Sequence, residues 1–284
     1  MKKSFKLGLL VLCGLSLMGA LLLWHLSISE KRTNIVFLNI GQGDAILITQ
    51  GSTQVLIDGG RTSRELLGRL GRHVPFWDRT IEVVIATHPD ADHIGGLPAL
   101  LRTYQVGQVL TTGAQSETET SRLFQEAIVK RIGHEPTKVF RGAEIAFPQG
   151  GKLAIEYPLA PIEGMVPDGD TNEGSMVARF TYGDTSFLLT GDLPHEESVL
   201  RDEAPVTVLK VAHHGSRYSS SAAFLNMIRP KEAVISVGKN SYGHPAPDVL
   251  ERLRQSGAVV HRTDEEGDVR YECLPALQKC LFTK

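Results

Sequence analysis

The sequence predicts an α/β fold in which two mixed sheets pack face to face and helices cover their outer faces, preceded by one N-terminal membrane segment. From Thr33 onward, short apolar strands alternate with amphipathic helices. Both halves of this region place strands first and strand–helix units afterwards, and no linker separates them. The composition, 42% hydrophobic and 22% charged, is that of a globular protein, which predicts one domain over residues 33–284.

Residues 1–32 have the composition of a membrane signal. Lys2, Lys3 and Lys6 precede an uncharged run from Leu7 to Ser29, which is longer than the roughly 20 residues that a membrane-spanning helix needs. The apolar core of a cleaved signal peptide is shorter, and a small-residue cleavage site follows it. No clean Ala-x-Ala site follows here, which favours a single-pass anchor in the cell membrane; a cleaved signal with a secreted or periplasmic product is the alternative. In both cases the domain lies outside the cytoplasm.

The first half of the domain predicts strands joined by Gly-containing turns, then strand–helix units. Period-two alternation indicates strands, and apolar spacings of three and four residues indicate helices. The predicted strands are Ile35–Leu38, Ala45–Thr49, Val55–Ile57, Ile81–Ala86 and Val109–Thr112. The predicted helices are Ser63–Arg72, Leu97–Tyr104 and Ser121–Ile132.

The second half repeats this order, with a hairpin around Gly183-Asp184 before the strand–helix units. The predicted strands are Lys138–Phe140, Glu144–Phe147, Leu153–Tyr157, Met176–Tyr182, Ser186–Thr190, Val206–Val211, Ala233–Val237, Val259–Arg262 and Val269–Cys273. The predicted helices are Pro194–Arg201, Ala222–Ile228 and Asp248–Gln255. Near the C-terminus, Cys273 and Cys280 could close a small loop in an oxidising compartment, and two unpaired thiols are the alternative.

One motif carries most of the chemistry. Residues 88–93 read His-Pro-Asp-Ala-Asp-His directly after the buried strand Ile81–Ala86, which puts four potential metal ligands within six positions. A strand end is rigid enough to fix a coordination geometry, and the following loop is open enough to admit a substrate. Alone, Asp-x-Asp-His could be a helix cap.

Three further strand ends carry polar residues: Asp58-Gly59-Gly60, Thr190-Gly191-Asp192 and His213-His214-Gly215-Ser216. Taken singly, a Gly-Asp pair is usually a turn and a His pair usually lies at the surface. Together they place carboxylates and imidazoles at the ends of strands that would lie side by side. The sequence therefore predicts a metal site.

These motifs resemble the metallo-β-lactamase superfamily over residues 34 to about 262. The family's first signature is His-x-His-x-Asp-His, and here Asp90 replaces the second His. With Gly41-Gln42-Gly43-Asp44 and Tyr242-Gly243-His244-Pro245, the chain is similar to the extracytoplasmic nuclease-like domain of the ComEC-type DNA-uptake competence proteins. Cell-surface phosphorylcholine esterases share part of the pattern.

The resemblance implies two divalent metal ions. It assigns His88 and Asp90 to one ion, and Asp92 and His93 to the other together with one of His213 or His214, of which His214 is favoured. Asp192 would bridge both ions. The family usually supplies one more His, where this chain has Asn172-Glu173-Gly174-Ser175, so one ion could bind weakly, use Asn172, His213 or water, or be missing.

The substitution of imidazole by carboxylate makes the predicted site harder and more anionic, which moves its preference toward Mn²⁺ or Mg²⁺, with zinc as the alternative. Asp92 could orient the attacking water as well as bind metal. His244 could bind phosphate or protonate the leaving group, and Asn172 and Ser175 could hold substrate oxygens. For these three residues ordinary loop roles are the alternative, and for Asp44 and Asp58 a structural role is favoured.

The sequence therefore predicts an extracytoplasmic metal-dependent phosphodiesterase or nuclease whose first candidate substrate is DNA, with a DNA-uptake machinery as the implied partner. A surface phosphodiesterase for teichoic-acid or lipid head groups and a non-catalytic binding module are the alternatives. The net charge of -2 gives no general basic field, so a nucleic-acid role requires local cations around the site. The candidates are Arg61, Arg64, Lys210, Arg217 and Lys239.

Overall fold

A computed structural model describes residues 32–166, 170–200 and 204–283, and Ser16, Met18 and Gly19 of the N-terminal segment. Its strands, in chain order, are β1 Thr33–Phe37, β2 Ile46–Gln50, β3 Thr53–Ile57, β4 Thr80–Ala86, β5 Gln105–Thr111, β6 Ala114–Gln115, β7 Thr137–Lys138, β8 Glu144–Ala146, β9 Lys152–Tyr157, β10 Gly164–Met165, β11 Val177–Tyr182, β12 Thr185–Leu189, β13 Val208–Lys210, β14 Glu232–Ile235, β15 Val259–Arg262, β16 Val269–Leu274 and β17 Lys279–Phe282. Its α-helices are α1 Ser63–His73, α2 Ala91–Ile94, α3 Leu97–Thr103, α4 Glu119–Ile132, α5 Ala222–Ile228, α6 Pro247–Gln255 and α7 Thr263–Glu266.

Two large mixed sheets form the centre of the fold. The first has the order β17-β16-β1-β2-β3-β4-β5-β7, and the second has the order β15-β14-β13-β12-β11-β9-β8. In the first sheet β3, β4, β5 and β7 are parallel neighbours, and in the second β12, β13, β14 and β15 are parallel neighbours. Each sheet therefore gathers the carboxyl ends of several parallel strands at one edge, where ligand sites of α/β proteins usually form.

The packing confirms the predicted mixed α/β sandwich. Alternation along β1 sends Ile35 and Phe37 into the layer between the sheets and Val36 toward the outer helices. Aromatic rings such as Phe180 and Phe187 fill the layer between the sheets. Helices α1, α3 and α4 cover the outer face of the first sheet, and α5 and α6 cover that of the second. The burial of apolar area between the two sheets and under the helices on each outer face contributes most to the stability of the fold.

Most of the predicted elements occur, with ends that match or shift by up to four residues. The hairpin turns at Gly183-Asp184, where the register pairs Tyr182 with Thr185 and Gly183 has φ 52°. The short strands β6, β10 and β17 and the short helices α2 and α7 were not predicted, because segments of two to four residues carry no readable periodicity.

The predicted helix Pro194–Arg201 was wrong. As far as Leu200, where the description of this segment stops, it holds a 3-10 turn, Glu196–Ser198. His195 begins that turn in the left-handed region with φ 52°, which breaks helical continuity. The side chain of Glu196 is buried and contacts Ser220 instead of facing solvent. The apolar spacing of this segment therefore does not reflect a helix.

The predicted N-terminal membrane segment lies outside the described residues, apart from Ser16, Met18 and Gly19. Among the residues that the structure describes, no helix is long and apolar enough to span a bilayer. At the other end of the chain, Cys273 and Cys280 face each other across β16 and β17 and form a disulfide. Of the two states that the sequence left open, the structure therefore has the bonded one.

Glu196 is a buried carboxylate that fixes the loop after the His213-His214 pair. Both of its carboxylate oxygens accept a hydrogen bond from Ser220 N at 3.0 Å. Burial raises the pKa of Glu196 from 4.5 to about 7, against the lowering effect of these hydrogen bonds. The folded protein therefore binds this proton more tightly than the unfolded chain does.

We expect Glu196→Gln to remove part of the pH dependence of stability. Because the folded pKa is raised, the stabilising contribution of the proton is complete below pH 4.5 and is lost as the pH rises to about 7. The loss amounts to about 3 kcal/mol at most. Urea unfolding of the wild type and of Glu196→Gln across this pH range measures the difference. Parallel curves for the two proteins would contradict the prediction.

Candidate metal centre

The polar strand ends of both sheets meet in one cluster. Asp58 follows β3, and the segment His88–His93 follows β4, both in the first sheet. From the second sheet, Asp192 follows β12 and His214 follows β13. Since the site lies at the carboxyl ends of parallel strands, register and strand length together position its side chains.

Asp192 lies at the centre of the cluster. Its Oδ2 atom lies 3.2 Å from His93 Nε2, 3.3 Å from His214 Nε2 and 4.0 Å from His213 Nε2. His88, His93 and Asp192 each offer a ligand atom, and these atoms lie within 4.8 Å of one another. The same holds for Asp92, His93 and His214, and for Asp44, Asp192 and His214. Among the described residues, these three ligand sets overlap, because any two of them share one residue, His93, Asp192 or His214.

Hydrogen bonds fix the orientation of the imidazoles. Asp58 Oδ2 accepts from His93 Nδ1 at 2.8 Å, and the same carboxylate accepts from Thr87 N and Thr87 Oγ1. Because the Thr87 hydroxyl proton is given to Asp58, His88 Nδ1 donates to Thr87 Oγ1 at 3.0 Å. His214 Nδ1 donates to the Ser236 carbonyl at 2.8 Å. Each ring therefore turns its Nε2 atom into the cluster, as metal-binding histidines do.

The donor set fits divalent metal ions. Buried side-chain atoms are nearly always hydrogen bonded, yet the Nε2 atoms of His88, His93 and His214 and the Oδ1 atom of Asp192 are buried and have no hydrogen-bond partner among the described residues. These four atoms belong to the cluster, and a bound metal ion would give them a partner. Imidazole nitrogens with carboxylate oxygens suit Zn²⁺, Mn²⁺ and Fe ions.

Backbone strain is concentrated at the same place. His213 and His214 both lie in the left-handed region, with φ 49° and 54°, and Asp58 has φ 60°. Non-glycine residues adopt this conformation at a cost of about 1–3 kcal/mol each, so the surrounding structure has to hold them there. Gly43 permits another close approach, because a Cβ atom at this position would lie 2.1 Å from the Asp92 carbonyl oxygen.

Charge compensation sets the protonation of the cluster. Burial opposes charge on His93 and His214, but Asp192 and its neighbouring carboxylates raise the pKa of His93 well above 6.5 and that of His214 to about 9. Burial likewise opposes charge on Asp192, but His214 and His93 hold its pKa well below its usual range. Without metal, protons on these imidazoles balance the buried carboxylates, so protons and metal ions compete for the same nitrogen atoms.

The His88 side of the cluster differs from the His214 side in its protonation and in its potential ligands. Burial and the neighbouring His93 lower the pKa of His88 to about 3, so its Nε2 atom carries a lone pair. Asp90 Oδ2 lies 3.8 Å from this atom, and the Thr171 hydroxyl donates to Asp90 Oδ1. Burial raises the pKa of Asp90. This side therefore offers one imidazole and one half-buried carboxylate, a poorer set than the His214 side.

Lys210 does not belong to the basic rim that the sequence suggested. It is fully buried, and its Nζ atom pairs with Asp44 Oδ2, lies 3.6 Å from Asp192 Oδ1 and donates to the Gly191 carbonyl at 2.9 Å. Its ammonium therefore faces Asp192 Oδ1, while Asp192 Oδ2 faces the imidazoles. A Lys in the otherwise apolar strand Val206–Val211 was the signal in the sequence for a buried cation. The other four candidate cations are exposed.

The remaining predicted residues lie around this cluster. The rings of His213 and His244 are 5.4 Å apart, and both side chains are partly exposed. Asn172 lies in the 3-10 turn Thr171–Gly174, and its Oδ1 atom is buried without a hydrogen-bond partner among the described residues. Ser175 is fully buried, and its Oγ atom accepts from Asp192 N at 3.1 Å. This contact supports a structural role for Ser175, and its binding of substrate stays a prediction.

Residues 38–239, more than half of the chain, match the family described as the metallo-beta-lactamase superfamily. The chain belongs to this superfamily. Its fold is accordingly that of the superfamily's metal-dependent hydrolases.

Similar proteins include Competence protein ComA of Neisseria gonorrhoeae, which is 29% identical over 86% of this chain and 33% of that protein. ComE operon protein 3 of Bacillus subtilis is 32% identical over 257 residues, which cover 82% of this chain and 32% of that protein. Recombination protein 2 of Haemophilus influenzae is 29% identical over 90% of this chain and 31% of that protein. The chain thus spans about a third of the length of these relatives.

Among solved structures, the metallo-beta-lactamase fold protein YhfI from Bacillus subtilis has a TM-score of 0.56 at 14% identity, with 84% of this chain and 99% of YhfI covered.

We expect Asp58→Asn to weaken metal binding without removing any of the residues that the resemblance assigns to the metal ions. The substitution removes the carboxylate that orients His93, and losing such a partner typically costs about 10–100-fold in metal affinity. Isothermal titration of the metal-free protein with Mn²⁺ and with Zn²⁺ measures the change. Asp78→Asn, at a loop distant from the cluster, is the control. Equal affinities for Asp58→Asn and the wild type would contradict the assignment.

We also expect Lys210→Met to destabilise the metal-free protein. It leaves the buried carboxylates of Asp44 and Asp192 without their cation, and breaking such a buried pair costs about 3–5 kcal/mol. Lys239→Met, at an exposed lysine in the loop after β14, should change stability little. Chemical unfolding with a chelator present compares the three proteins. Similar losses in the two variants would show that the buried ion pairs of Lys210 do not stabilise the fold.

Proposed function

We propose that this protein is a membrane-anchored, extracytoplasmic phosphodiesterase that cleaves DNA with divalent metal ions. The observation that carries the proposal is the position of Asp192 between the His88 side and the His214 side of one buried cluster. Two neighbouring ions that share a carboxylate suit an in-line displacement at phosphorus, because attacking and leaving oxygens both need charge stabilisation. The names of the similar proteins, which refer to competence and recombination, support a DNA substrate.

The residues have distinct roles in this proposal. His88 and Asp90 would hold one ion, and Asp92, His93 and His214 the other, with Asp192 between them. When bound, divalent ions supply the Lewis acidity that activates water and offsets the charge of a phosphodiester. Burial and the neighbouring His213 lower the pKa of His244 to about 4, so its ring is neutral at pH 7. We infer that His244 donates a hydrogen bond to a phosphate oxygen from this neutral ring.

Aromatic and basic side chains next to the cluster support a nucleic-acid substrate. Tyr242 is 65% exposed, and its ring lies 5.8 Å from that of His244. Arg217 and Lys239 are exposed in loops that follow the strand ends of the second sheet. Exposed aromatic rings beside cations are the features that bind single-stranded nucleic acid without sequence preference.

The same Tyr242 ring could bind a trimethylammonium head group, which makes a phosphorylcholine-type ester the second candidate substrate.

We expect the purified full-length chain in detergent to hydrolyse phosphodiesters only with added metal. Single-stranded DNA, double-stranded DNA, a nitrophenyl phosphodiester and nitrophenyl phosphorylcholine are offered with Mn²⁺ and separately with Zn²⁺. Asp192→Asn should lower kcat by at least about 100-fold, the scale of losing one preorganised charge-stabilising group. The control is Asp184→Asn, at the turn of the hairpin β11–β12, which should keep full activity.

The substrates separate the candidate functions. Faster turnover of DNA than of the choline ester favours the nuclease, and the reverse order favours the head-group phosphodiesterase. Metal binding without turnover of any phosphodiester would overturn the proposal and favour a binding module. If Asp192→Asn kept both its fold and its activity, the central role of Asp192 would be excluded.

A further inference from the structure

The loop between α1 and β4 exposes two large aromatic side chains. Phe76 is 80% exposed and Trp77 is 73% exposed, and their rings contact each other edge to face at 4.8 Å. Residues of this size are rarely left in water as a pair without a partner. The metal cluster does not account for them, because they precede β4 whereas the cluster follows it.

The loop that presents these rings is well ordered by hydrogen bonds. Asp78 N donates to the Pro75 carbonyl at 2.9 Å, which closes the turn around Phe76 and Trp77. The Asp78 carboxylate then accepts from Gln54 Nε2 at 2.8 Å and from Thr80 N at 3.0 Å. The turn is therefore tied to β3 and β4, and it holds the two aromatic rings outward.

The aromatic pair lies at the edge of the first sheet where the N-terminal segment joins it. In the register, Thr33 at the start of β1 pairs with Gln50, and Gln50 pairs with Thr53 at the start of β3. Strand β4 runs parallel to β3, so Thr80 begins at the same edge. The metal cluster lies at the opposite edge. The seven residues of β4 separate the two edges by about 20 Å, at about 3.3 Å per residue.

Cationic side chains lie at the same edge of the sheet as the aromatic pair. Arg79 is exposed and lies over the Tyr104 ring, 5.7 Å from its centroid. Arg131 donates to the Tyr104 carbonyl at 3.0 Å, which places the end of α4 at the same edge. Arg102, at the end of α3 just before Gln105 pairs with Thr80, is also exposed. Aromatic rings with cations beside them are typical of surfaces that rest in the head-group region of anionic bilayers.

We infer that Phe76, Trp77 and the arginines at this edge form a membrane-docking surface that rests on the lipid head groups. The inference depends on the membrane anchor of the proposed function. In the sequence, the uncharged run ends at Ser29, and only Glu30, Lys31 and Arg32 precede Thr33. Three or four extended residues span at most roughly 10–15 Å, so this edge of the sheet stays close to the bilayer. The metal cluster then faces away from the membrane.

Tryptophan fluorescence tests this surface in the full-length chain. The chain has two tryptophans, Trp24 and Trp77, so Trp24→Phe leaves Trp77 as the single reporter, and Trp77→Phe leaves Trp24 as the matched control. Each variant is reconstituted into vesicles of phosphatidylcholine and phosphatidylglycerol, with and without brominated phosphatidylcholine. We expect Trp77 emission to shift to shorter wavelength, to be quenched by the brominated lipid and to be protected from aqueous acrylamide.

The control separates the docking surface from the anchor, and neither measurement depends on catalytic activity. If Trp24 is quenched by brominated lipid while Trp77 stays open to acrylamide, the docking surface is excluded and the anchor stands. If neither tryptophan is quenched by lipid, the anchor fails and the docking surface with it. If Trp77 is protected from acrylamide but not quenched by lipid, the aromatic pair is covered by protein, which also overturns the inference.

Discussion

The burial of the Asp192 carboxylate between the two sheets is the constraint on which this structure depends. Asp192 follows a strand of the second sheet, yet its Oδ2 atom faces His93, which follows a strand of the first sheet, and its Oδ1 atom faces Lys210. Lys210 in turn pairs with Asp44, just before the first-sheet strand β2. A buried carboxylate without such partners would cost several kcal/mol, so these contacts fix how the two sheet edges meet. The same contacts bring the potential metal ligands together.

The charges of the cluster explain why it is organised without metal. Asp58 accepts a hydrogen bond from His93, and the Ser236 carbonyl accepts one from His214, so both rings are fixed in orientation. Protons on both rings offset the negative charge of the neighbouring carboxylates. A divalent ion that replaces these protons changes the net charge little and needs no large rotation of the rings. His88 differs, because it is already neutral and its partner Asp90 is half-buried. Under the proposed function, the two sides of the cluster would therefore bind metal with different affinities, the His214 side more tightly.

The sequence predicted the cluster better than its surroundings. The four polar strand ends were readable because a buried strand followed by His or Asp is conspicuous, and parallel strands bring such ends to one edge. The burial of Lys210 was not foreseen, since alternation along one strand says nothing about which carboxylates of the other sheet face it. The predicted helix after Pro194 failed for a similar reason. The apolar spacing suggested a helix, but the contact between Glu196 and Ser220, distant in sequence, decides the local backbone.

The direction of the strands also relates the site to the rest of the molecule. Because β3 and β4 are parallel, both strands begin at one edge of the sheet and end at the other, and the loops at these two edges differ in their side chains. The loop after β4 carries potential metal ligands, and the loop before it carries exposed aromatic rings. Strand length keeps these two environments about 20 Å apart, beyond the Debye length of about 8 Å at physiological salt. An anionic surface held at the aromatic edge would therefore add little repulsion to an anionic substrate that approaches the metal cluster.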